Sequence, residues 1–468
     1  MKTKLILWFI LVAGFAGFVL LKMSHLSAPF FWDEAGVYGR IAFHLADNGL
    51  SLHPKSVDQW LSRGHPLLYS FFIASFCKIF GTTTFVAHFG NLVLSVFLLA
   101  SIFIHTRQIY NFRSGLFAVA FLMIQPIFFA QAVMVLPEIA LGLCFWWLIW
   151  AYYKRSLWIY VIAGSAAVLI KETALIWLFA ITFYELLSNR SRFHIKHLKW
   201  LLPVAPFLIF LVIQKLTWDW YLFPYHITSI SFNVDHVATI FWRYLVFIFW
   251  EQGRGVIPVL IIPFCIYEWK TRPSRLKEFR HYITSFGVIA AFVCLCYMLF
   301  SGTSFLLERY MLPVLPFVAI FVGVSMDKFY NLKGLLQTIV LTAILYLLPA
   351  SKMSSDHFVY DIDMSYLRSI DATKKCLEYM INEGIYTSNK FSVNIPLTYA
   401  ILDKRFGYLP EGTNVSKSSP VSDLTEFAVE LKPGSELINP DSLDLYLVYE
   451  EFYHDIKMSV YKVGEAPK

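Results

Sequence analysis

Two adjacent carboxylates follow the first hydrophobic segment of the chain, in an aromatic stretch that begins at Phe31. In a partly apolar setting, neighbouring carboxylates can take different roles, one as a general base and the other as an orienting group. The same stretch also fits a helix start, with Asp33 as the N-cap of a helix over 34–48 that Gly49 ends. These interpretations are compatible, so Asp33 and Glu34 are the candidate catalytic residues.

Further candidate residues lie where polar loops meet apolar segments. They are Tyr38, His65, Glu138, Lys171, Glu172, Arg254 and Arg309. Several have a structural interpretation as well. His65 and Glu138 adjoin prolines and fit helix starts, where a carboxylate favours the positive end of the helix dipole. Lys171 and Glu172 fit a local ion pair.

The basic candidates also suit an anionic ligand. Lys171 and Arg309 have the side chains that bind phosphate oxygens in proteins. His65 could direct an imidazole toward an anionic headgroup. Arg254 lies between two glycines, which free the backbone for close approach to a ligand. These residues are therefore compatible with a phosphate site at the membrane boundary, although Arg309 could instead anchor its helix at the interface.

The composition predicts that such a site belongs to a membrane protein. The chain has 468 residues, of which 57% are hydrophobic and only 15% charged, with a mean hydropathy of +0.58. Soluble domains have about 25% charged residues, so an ordinary soluble protein and a disordered chain are both excluded. Residues 1–349 hold 14 acids and 27 bases, whereas residues 350–468 hold 18 acids and 12 bases. We therefore predict a polytopic membrane body, 1–349, and a water-soluble domain, 350–468.

Hydrophobic runs predict about eleven transmembrane helices. They lie near 5–22, 85–105, 115–133, 138–153, 157–170, 174–187, 199–217, 255–268, 282–300, 311–326 and 335–349. The first run also has the shape of a signal peptide. Two runs of about 15 residues, 66–80 and 237–250, are short enough to be interfacial helices.

The Lys and Arg residues predict the orientation. With a cytoplasmic N-terminus and both short runs in the outer interface, the inner segments hold 17 Lys/Arg in 56 residues and the outer segments 8 in 126. This positive-inside bias places the C-terminal domain outside the cytoplasm and explains the basic pI without nucleic-acid binding. Ten of the body's 14 acids then face outward: Asp33, Glu34, Asp47, Asp58, Glu138, Glu172, Asp219, Asp235, Glu251 and Glu308. No comparable group occupies the middle of a predicted span, which argues against an ion channel or proton-coupled pump.

The C-terminal domain is predicted to be a small α/β fold. Met364–Asn382 has apolar residues at helical spacing, and 443–449 and 456–463 are rich in β-forming residues. The domain has no nucleotide-binding loop and no catalytic spacing, which favours a folded extracytoplasmic cap.

Several short motifs together resemble a known family, the GT-C glycosyltransferases. The motifs are Trp32-Asp33-Glu34 with Tyr38, the run from Arg63 to Tyr69 followed by Phe80-Gly81, Leu136-Pro137-Glu138, Leu169 to Thr173, and Arg309-Tyr310 with Leu312-Pro313 and Leu315-Pro316. The closest similarity is to the glycosyltransferase family 39 type, which includes protein O-mannosyltransferases and bacterial aminoarabinose lipid A transferases. The resemblance spans about residues 5–325 and leaves the C-terminal domain uncovered.

The resemblance implies an all-α polytopic membrane fold of the GT-C type, in a bacterial inner membrane. It implies transfer of a sugar from a polyprenyl phosphate to an acceptor hydroxyl of a lipid, glycan or protein on the extracytoplasmic face. By this resemblance Asp33 is the base, Glu34 positions the acceptor or the sugar, and Glu138 shapes the site. Lys171, with Arg254 and Arg309, would hold the donor phosphate.

Tyr38, His65 and Glu172 would complete the substrate-binding residues. His65 is a departure from the lipid A enzymes, which carry a lysine at this place, so a fixed positive charge is not assured there. A phosphate leaving group needs cations rather than a nucleotide site. The histidines show no metal-ligand spacing, and no metal or other cofactor is expected.

Two other functions are compatible with a polytopic chain. One is a transporter or flippase for a lipid-linked substrate, which needs polar residues along a path through the membrane, and the sequence has few. The other is a noncatalytic assembly subunit that binds partners through its C-terminal domain.

Overall fold

The computed structural model of the chain describes most of the body and much of the C-terminal domain. The described residues are 2–188, 195–228, 230, 233–255, 257, 262, 266, 270, 273–302, 307–329, 361–388, 390–410, 412–413, 426–432, 445–453 and 456–463. The predicted span 335–349 lies outside these residues, and 255–268 lies largely outside them. The predicted number of eleven spans and the boundary at 349 therefore remain predictions.

The body is helical throughout its described part. Its α-helices are α1 (Lys2–Met23), α2 (Gly39–Asn48), α3 (Gln59–Ser62), α4 (Leu68–Phe80), α5 (Thr84–Ile109), α6 (Phe112–Met123), α7 (Pro126–Gln131), α8 (Glu138–Tyr153), α9 (Leu157–Ile170), α10 (Leu175–Ser188), α11 (Ala205–Trp218), α12 (Pro224–Thr228), α13 (Val234–Phe249), α14 (Pro273–Gly302) and α15 (Leu315–Phe329). Short 3₁₀ helices cover Pro54–Ser56, Glu172–Ala174, Ile195–Val204 and Glu308–Val314, and a π-helix covers Glu34–Tyr38.

Four helical stretches of the described residues are long and apolar enough to cross a membrane. They are Leu5–Met23, Thr84–Ile109, Ile195–Trp218 and Glu308–Asp327. The predicted spans 138–153 and 157–170 coincide with α8 and α9. The runs at 66–80 and 237–250 form α4 and α13, of 13 and 16 residues. Both are shorter than the roughly 20 residues of a typical span, and their place in the outer interface remains a prediction.

The predicted span 115–133 is wrong as a single helix. α6 ends at Met123, Gln125 is extended with ψ 123°, and Pro126 begins α7. Proline lacks the N–H that would continue the helical hydrogen bonds, but it suits the first turn of a new helix. The chain therefore breaks at 124–125 and restarts as a separate short helix.

Helix α6 packs closely against α15 at Gly323. A Cβ atom built there would lie 2.5 Å from the carbonyl oxygen of Ser114 and 2.6 Å from the amide nitrogen of Ala118. Real Cβ atoms do not approach backbone this closely, so only glycine permits the observed packing. This contact sets the position of α15, and α15 follows directly after the segment that carries Arg309.

The C-terminal domain has four strands, three α-helices and one short 3₁₀ helix, Lys404–Phe406, in its described part. The strands and α-helices are α16 (Tyr366–Asn382), α17 (Ile385–Ser388), β1 (Phe391–Val393), α18 (Leu397–Ala400), β2 (Phe427–Lys432), β3 (Leu445–Tyr453) and β4 (Ile456–Val463). The sheet order is β1-β2-β4-β3, with β1 parallel to β2 and the other pairs antiparallel. The helix expected at 364–382 is confirmed, and it buries Cys376, Leu377 and Met380. Strand β4 has the predicted bounds, whereas β1 and β2 were not anticipated.

The C-terminal domain is docked on the loop that carries Asp33. The Phe30 amide donates to the carbonyl of Phe406 at 3.0 Å, and Arg63 donates to the Tyr399 hydroxyl at 3.2 Å. The Tyr399 ring also covers Gly36, where an added Cβ would lie 2.8 Å from it. The domain therefore forms one wall over the first extramembrane loop.

Candidate active site

Asp33 sits at a distorted helix start. The preceding residue, Trp32, has φ +45°, and Glu34–Tyr38 forms a π-helix rather than an α-helix. Both features are uncommon and recur at functional sites. Gly49 ends the helix as predicted, with its amide bonded to Leu45, but the N-cap role of Asp33 is wrong, because its side chain makes no capping hydrogen bond.

The Asp33 carboxylate instead pairs with Arg309, 276 positions later in the chain. One terminal nitrogen of Arg309 donates to Asp33 Oδ2, and the other donates to Asp361 Oδ2. Burial alone would raise the pKa of Asp33, but the charge and hydrogen bond of Arg309 lower it below its ordinary value. Asp33 is therefore ionised at neutral pH, and its side chain keeps 18% of its surface exposed.

Glu138 joins this ion pair to Lys171. Glu138 is the first residue of α8, where the helix dipole favours a carboxylate, and its Oε1 lies 3.2 Å from Lys171 Nζ and 3.6 Å from Arg309 Nε. Lys171 Nζ also lies 4.1 Å from the centre of the Tyr310 ring. The predicted local pair of Lys171 with Glu172 is wrong, since Lys171 turns toward Glu138.

We call Asp33, Glu138, Lys171, Arg309 and Asp361 the site cluster. Its three carboxylates and two cations carry a net charge of −1. Arg309 Nε and Glu138 Oε2 are buried and have no hydrogen-bond partner among the described residues. Buried polar atoms are normally paired, so these two atoms mark where a ligand oxygen or proton could be accommodated.

Glu172 belongs to a neighbouring group with His65 and Tyr38. Glu172 Oε2 lies 3.1 Å from His65 Nδ1, and the His65 ring stacks on Tyr38 at 6.3 Å between centres. Burial would raise the pKa of Glu172, but the charge and hydrogen bond of His65 lower it to about 2. His226 of α12 lies 5.5 Å from His65, ring to ring. Tyr38 connects the two groups, because the charges of Lys171, Glu138 and Asp33 all act on its phenol.

Glu34 points away from the site cluster and is fully buried. Its Oε2 accepts from the Phe31 amide at 2.8 Å, and its Oε1 accepts from the Val135 amide at 2.5 Å and lies 2.9 Å from His88 Nε2. The other ring nitrogen of His88 bonds to the Leu26 carbonyl. This arrangement ties the Asp33 loop to the segment before α8 and favours a positioning role for Glu34.

Arg254 is also buried but lies apart from the other predicted site residues. Its guanidinium donates to the Phe247 carbonyl at 2.8 Å and to the side-chain oxygens of Gln125 and Gln252 at 2.9 and 3.0 Å. These are neutral acceptors that close the turn after α13. The arrangement favours a structural role for Arg254 over phosphate binding.

Sequence reasoning missed Asp361 entirely. It lies near the start of the C-terminal domain, outside the region of family resemblance, and no motif surrounds it. The available signal was its position just after the predicted last span, on the side of the membrane where the predicted topology places the other site acids. Within the described ranges, no three His, Cys, Asp or Glu side chains converge into a group that could hold a metal ion.

Comparisons with known proteins match part of the chain to a family. Residues 64–218 match the family of dolichyl-phosphate-mannose-protein mannosyltransferases, a third of the chain that includes His65, Glu138, Lys171 and Glu172. No curated protein sequence matches the chain.

Two solved structures resemble the whole chain. One is the crystal structure of ArnT from Cupriavidus metallidurans bound to undecaprenyl phosphate, with a TM-score of 0.59, 14% identity and complete coverage of both chains. The other is the same protein in the apo state, with a TM-score of 0.59, 13% identity and 98% coverage of both chains. Together with the apolar helices, this similarity shows that the chain is an integral membrane protein with the GT-C fold of ArnT and a small C-terminal sheet domain.

Proposed function

We propose that the chain is a membrane glycosyltransferase that moves a sugar from a polyprenyl phosphate to an acceptor hydroxyl. The observation that carries this proposal is the site cluster, in which one partly exposed carboxylate adjoins two buried cations. The chain has the fold of a protein solved with undecaprenyl phosphate, which supports a lipid-phosphate donor.

Asp33 is the proposed general base. It is ionised, it is the most exposed of the three carboxylates, and the strained loop at Trp32 holds it at the surface of the site. It would take the proton of the acceptor hydroxyl as the acceptor oxygen attacks C1 of the sugar. The bond from C1 to the phosphate oxygen breaks, so the lipid phosphate leaves with the electron pair and the anomeric centre inverts. A positioned base contributes about 10²–10⁴-fold to such a reaction.

Lys171 and Arg309 are the proposed phosphate ligands. Both are buried, and cations stabilise charge on a leaving group best where water is excluded. Glu138 lies between them and holds both in place. This pair of side-chain cations supplies the charge that the leaving group needs, and we propose no metal or other cofactor.

The group of Tyr38, His65 and Glu172 is the proposed wall for the sugar or acceptor. It combines an aromatic ring with a carboxylate and an imidazole next to the site cluster, which suits sugar hydroxyls. We propose that these groups face the extracytoplasmic side, as the positive-inside bias predicts, and that the membrane is a bacterial inner membrane, as the family resemblance implies. The acceptor is a lipid, glycan or protein that reaches this face.

A reconstituted transfer assay tests the proposal. The purified chain in nanodiscs is supplied with polyprenyl-phosphate sugars and with membrane acceptors, and labelled product is measured. Asp33→Asn should lose at least about 100-fold in rate. Asp58→Asn is the matched control, since Asp58 lies between α2 and α3, outside the site cluster, and caps α3 through Oδ1, an acceptor that asparagine keeps. Near wild-type transfer by Asp33→Asn would refute the base assignment.

A cellular experiment identifies the substrates. Mass spectrometry of lipids and glycans from a deletion strain should show one sugar modification missing. Unmodified lipid-linked substrate crossing vesicles that contain the purified chain would instead identify a transporter.

A further inference from the structure

The segment that leads into the C-terminal domain, 361–366, is bound to the membrane body beside the site cluster. Gln131 donates to the Asp361 carbonyl at 2.7 Å, and Gln252 donates to the Ile362 carbonyl at 3.0 Å. These bonds fix the backbone through neutral groups. The Asp361 side chain, by contrast, is charged and forms an ion pair with Arg309.

Arg309 is therefore already occupied by carboxylates. One terminal nitrogen binds Asp33, the other binds Asp361, and Nε faces Glu138 at 3.6 Å. A phosphate oxygen that approached this guanidinium would meet the three carboxylates that already surround it. Adding another anion without displacing a carboxylate is unfavourable in a buried site, because like charges there are poorly screened.

Among the three carboxylates, Asp361 is the one whose side chain can leave Arg309 most readily. Glu138 is held at the first turn of α8 by Lys171 as well as by Arg309. Asp33 is fixed in the strained turn before the π-helix. The Asp361 side chain can turn away while Gln131 continues to hold its backbone carbonyl, and burial raises the pKa of this carboxyl above its ordinary value, so its charge is costly in the site.

We propose that Asp361 is an internal competitor of the lipid phosphate, which occupies Arg309 in the free protein and yields it when the donor binds. This inference rests on the proposed function. It names a residue of the C-terminal domain that sets the affinity of the site for lipid phosphates, in addition to the residues of the membrane body.

In the proposed reaction, this competition would favour release of the product. The donor is a phosphodiester with one negative charge, whereas the spent lipid phosphate is a monoester with up to two near neutral pH. Two buried cations alone would hold the product more tightly than the donor. Asp361 returning to Arg309 opposes this and releases the product.

A binding experiment with undecaprenyl phosphate as the probe tests the inference. The dissociation constant is measured by thermophoresis for the wild-type full chain in detergent, for Asp361→Asn and for Asp363→Asn. Asp361→Asn keeps an oxygen that can accept from Arg309 but removes the charge, so it should bind at least about tenfold more tightly than wild type. Asp363→Asn removes the same charge two residues away and keeps the acceptor for the Ser365 amide, so its affinity should match wild type.

The possible results separate the inference from the proposed function. Equal or weaker binding by Asp361→Asn, with binding by wild type intact, overturns the inference alone. No binding by any of the three proteins overturns the lipid-phosphate donor as well. In transfer assays, Asp361→Asn should show a lower KM for the donor and stronger inhibition by undecaprenyl phosphate, whereas a purely structural role would raise KM.

A second measurement uses the wild-type chain, in case the variant does not fold. Saturation with undecaprenyl phosphate should speed hydrogen exchange in peptides that cover 361–366, because one of the segment's attachments to the body is lost. Unchanged or slower exchange would count against the proposal.

Discussion

Replacing Glu34 by glutamine should destabilise the protein strongly, although it keeps the size and shape of the side chain. The buried carboxylate accepts from the amides of Phe31 and Val135 and contacts His88. Glutamine has one oxygen, so its NH₂ group must face at least one of these donors. Breaking a buried charged network by removing one partner costs about 3–5 kcal/mol. Asp33→Asn, one residue earlier, should cost less, about 1 kcal/mol, because asparagine keeps an oxygen that can accept from Arg309 and Arg309 keeps two other carboxylates.

Unfolding in detergent, followed by tryptophan fluorescence, measures the difference between these two adjacent positions. Glu34→Gln should unfold at a much lower temperature than wild type, with its remaining folded fraction partly active. Asp33→Asn should unfold close to wild type and be inactive in transfer. A Glu34→Gln protein of wild-type stability that is inactive would refute the positioning role and favour direct contact of Glu34 with a substrate.

Three further predictions follow from the described contacts. Lys171→Met should abolish transfer and lower stability by about 3–5 kcal/mol, measured by the same two assays, because it removes the nearer of the two cations that pair with the buried Glu138. Lys171→Arg should restore part of the stability. The pKa of Glu172 is about 2 in the folded protein against 4.5 ordinarily, so its stabilising contribution is complete above about pH 4.5 and is lost as the pH falls toward 2. Glu172→Gln should remove that part of the acid dependence in unfolding scans, and an unchanged acid limb would contradict the assigned pairing. Gly323→Ala should lower the free energy of unfolding by about 1–3 kcal/mol, since the new methyl group would press on the backbone of Ser114 and Ala118 and force α6 and α15 apart. An unfolding temperature equal to that of the wild type would show that the two helices pack less closely than described.

The helices and most site residues could be predicted from the sequence. Long apolar runs predict helices α8 and α9 to the residue, because a bilayer imposes both length and composition. Asp33, Glu138, Lys171 and Arg309 could be singled out because ionisable residues beside apolar segments are rare. The structure then brings these four into one cluster.

The pairing of these residues could not be predicted. Lys171 lies next to Glu172 in the sequence, yet it binds Glu138, because the chain turns into a 3₁₀ helix at Glu172 and separates the two side chains. Helix spacing reveals neither the π-helix nor the absence of a capping hydrogen bond from the Asp33 side chain at its start. Asp361 could not be predicted, because its role depends on how the C-terminal domain docks on the membrane body. Such a long-range contact leaves no local pattern in the sequence.

The residues of the site cluster are synthesised in an order that separates the carboxylates from their cations. Its members leave the ribosome in the sequence of two acids, Asp33 and Glu138, then two bases, Lys171 and Arg309, and finally Asp361. A nascent chain that has inserted α8 therefore carries both carboxylates before the two cations that pair with them in the fold, and unpaired charge at a membrane boundary is costly. Their full neutralisation waits for Arg309, some 170 residues after Glu138. The site cluster can therefore form only after most of the helices have been inserted into the membrane. Its last carboxylate, Asp361, is synthesised with the domain that folds outside the membrane.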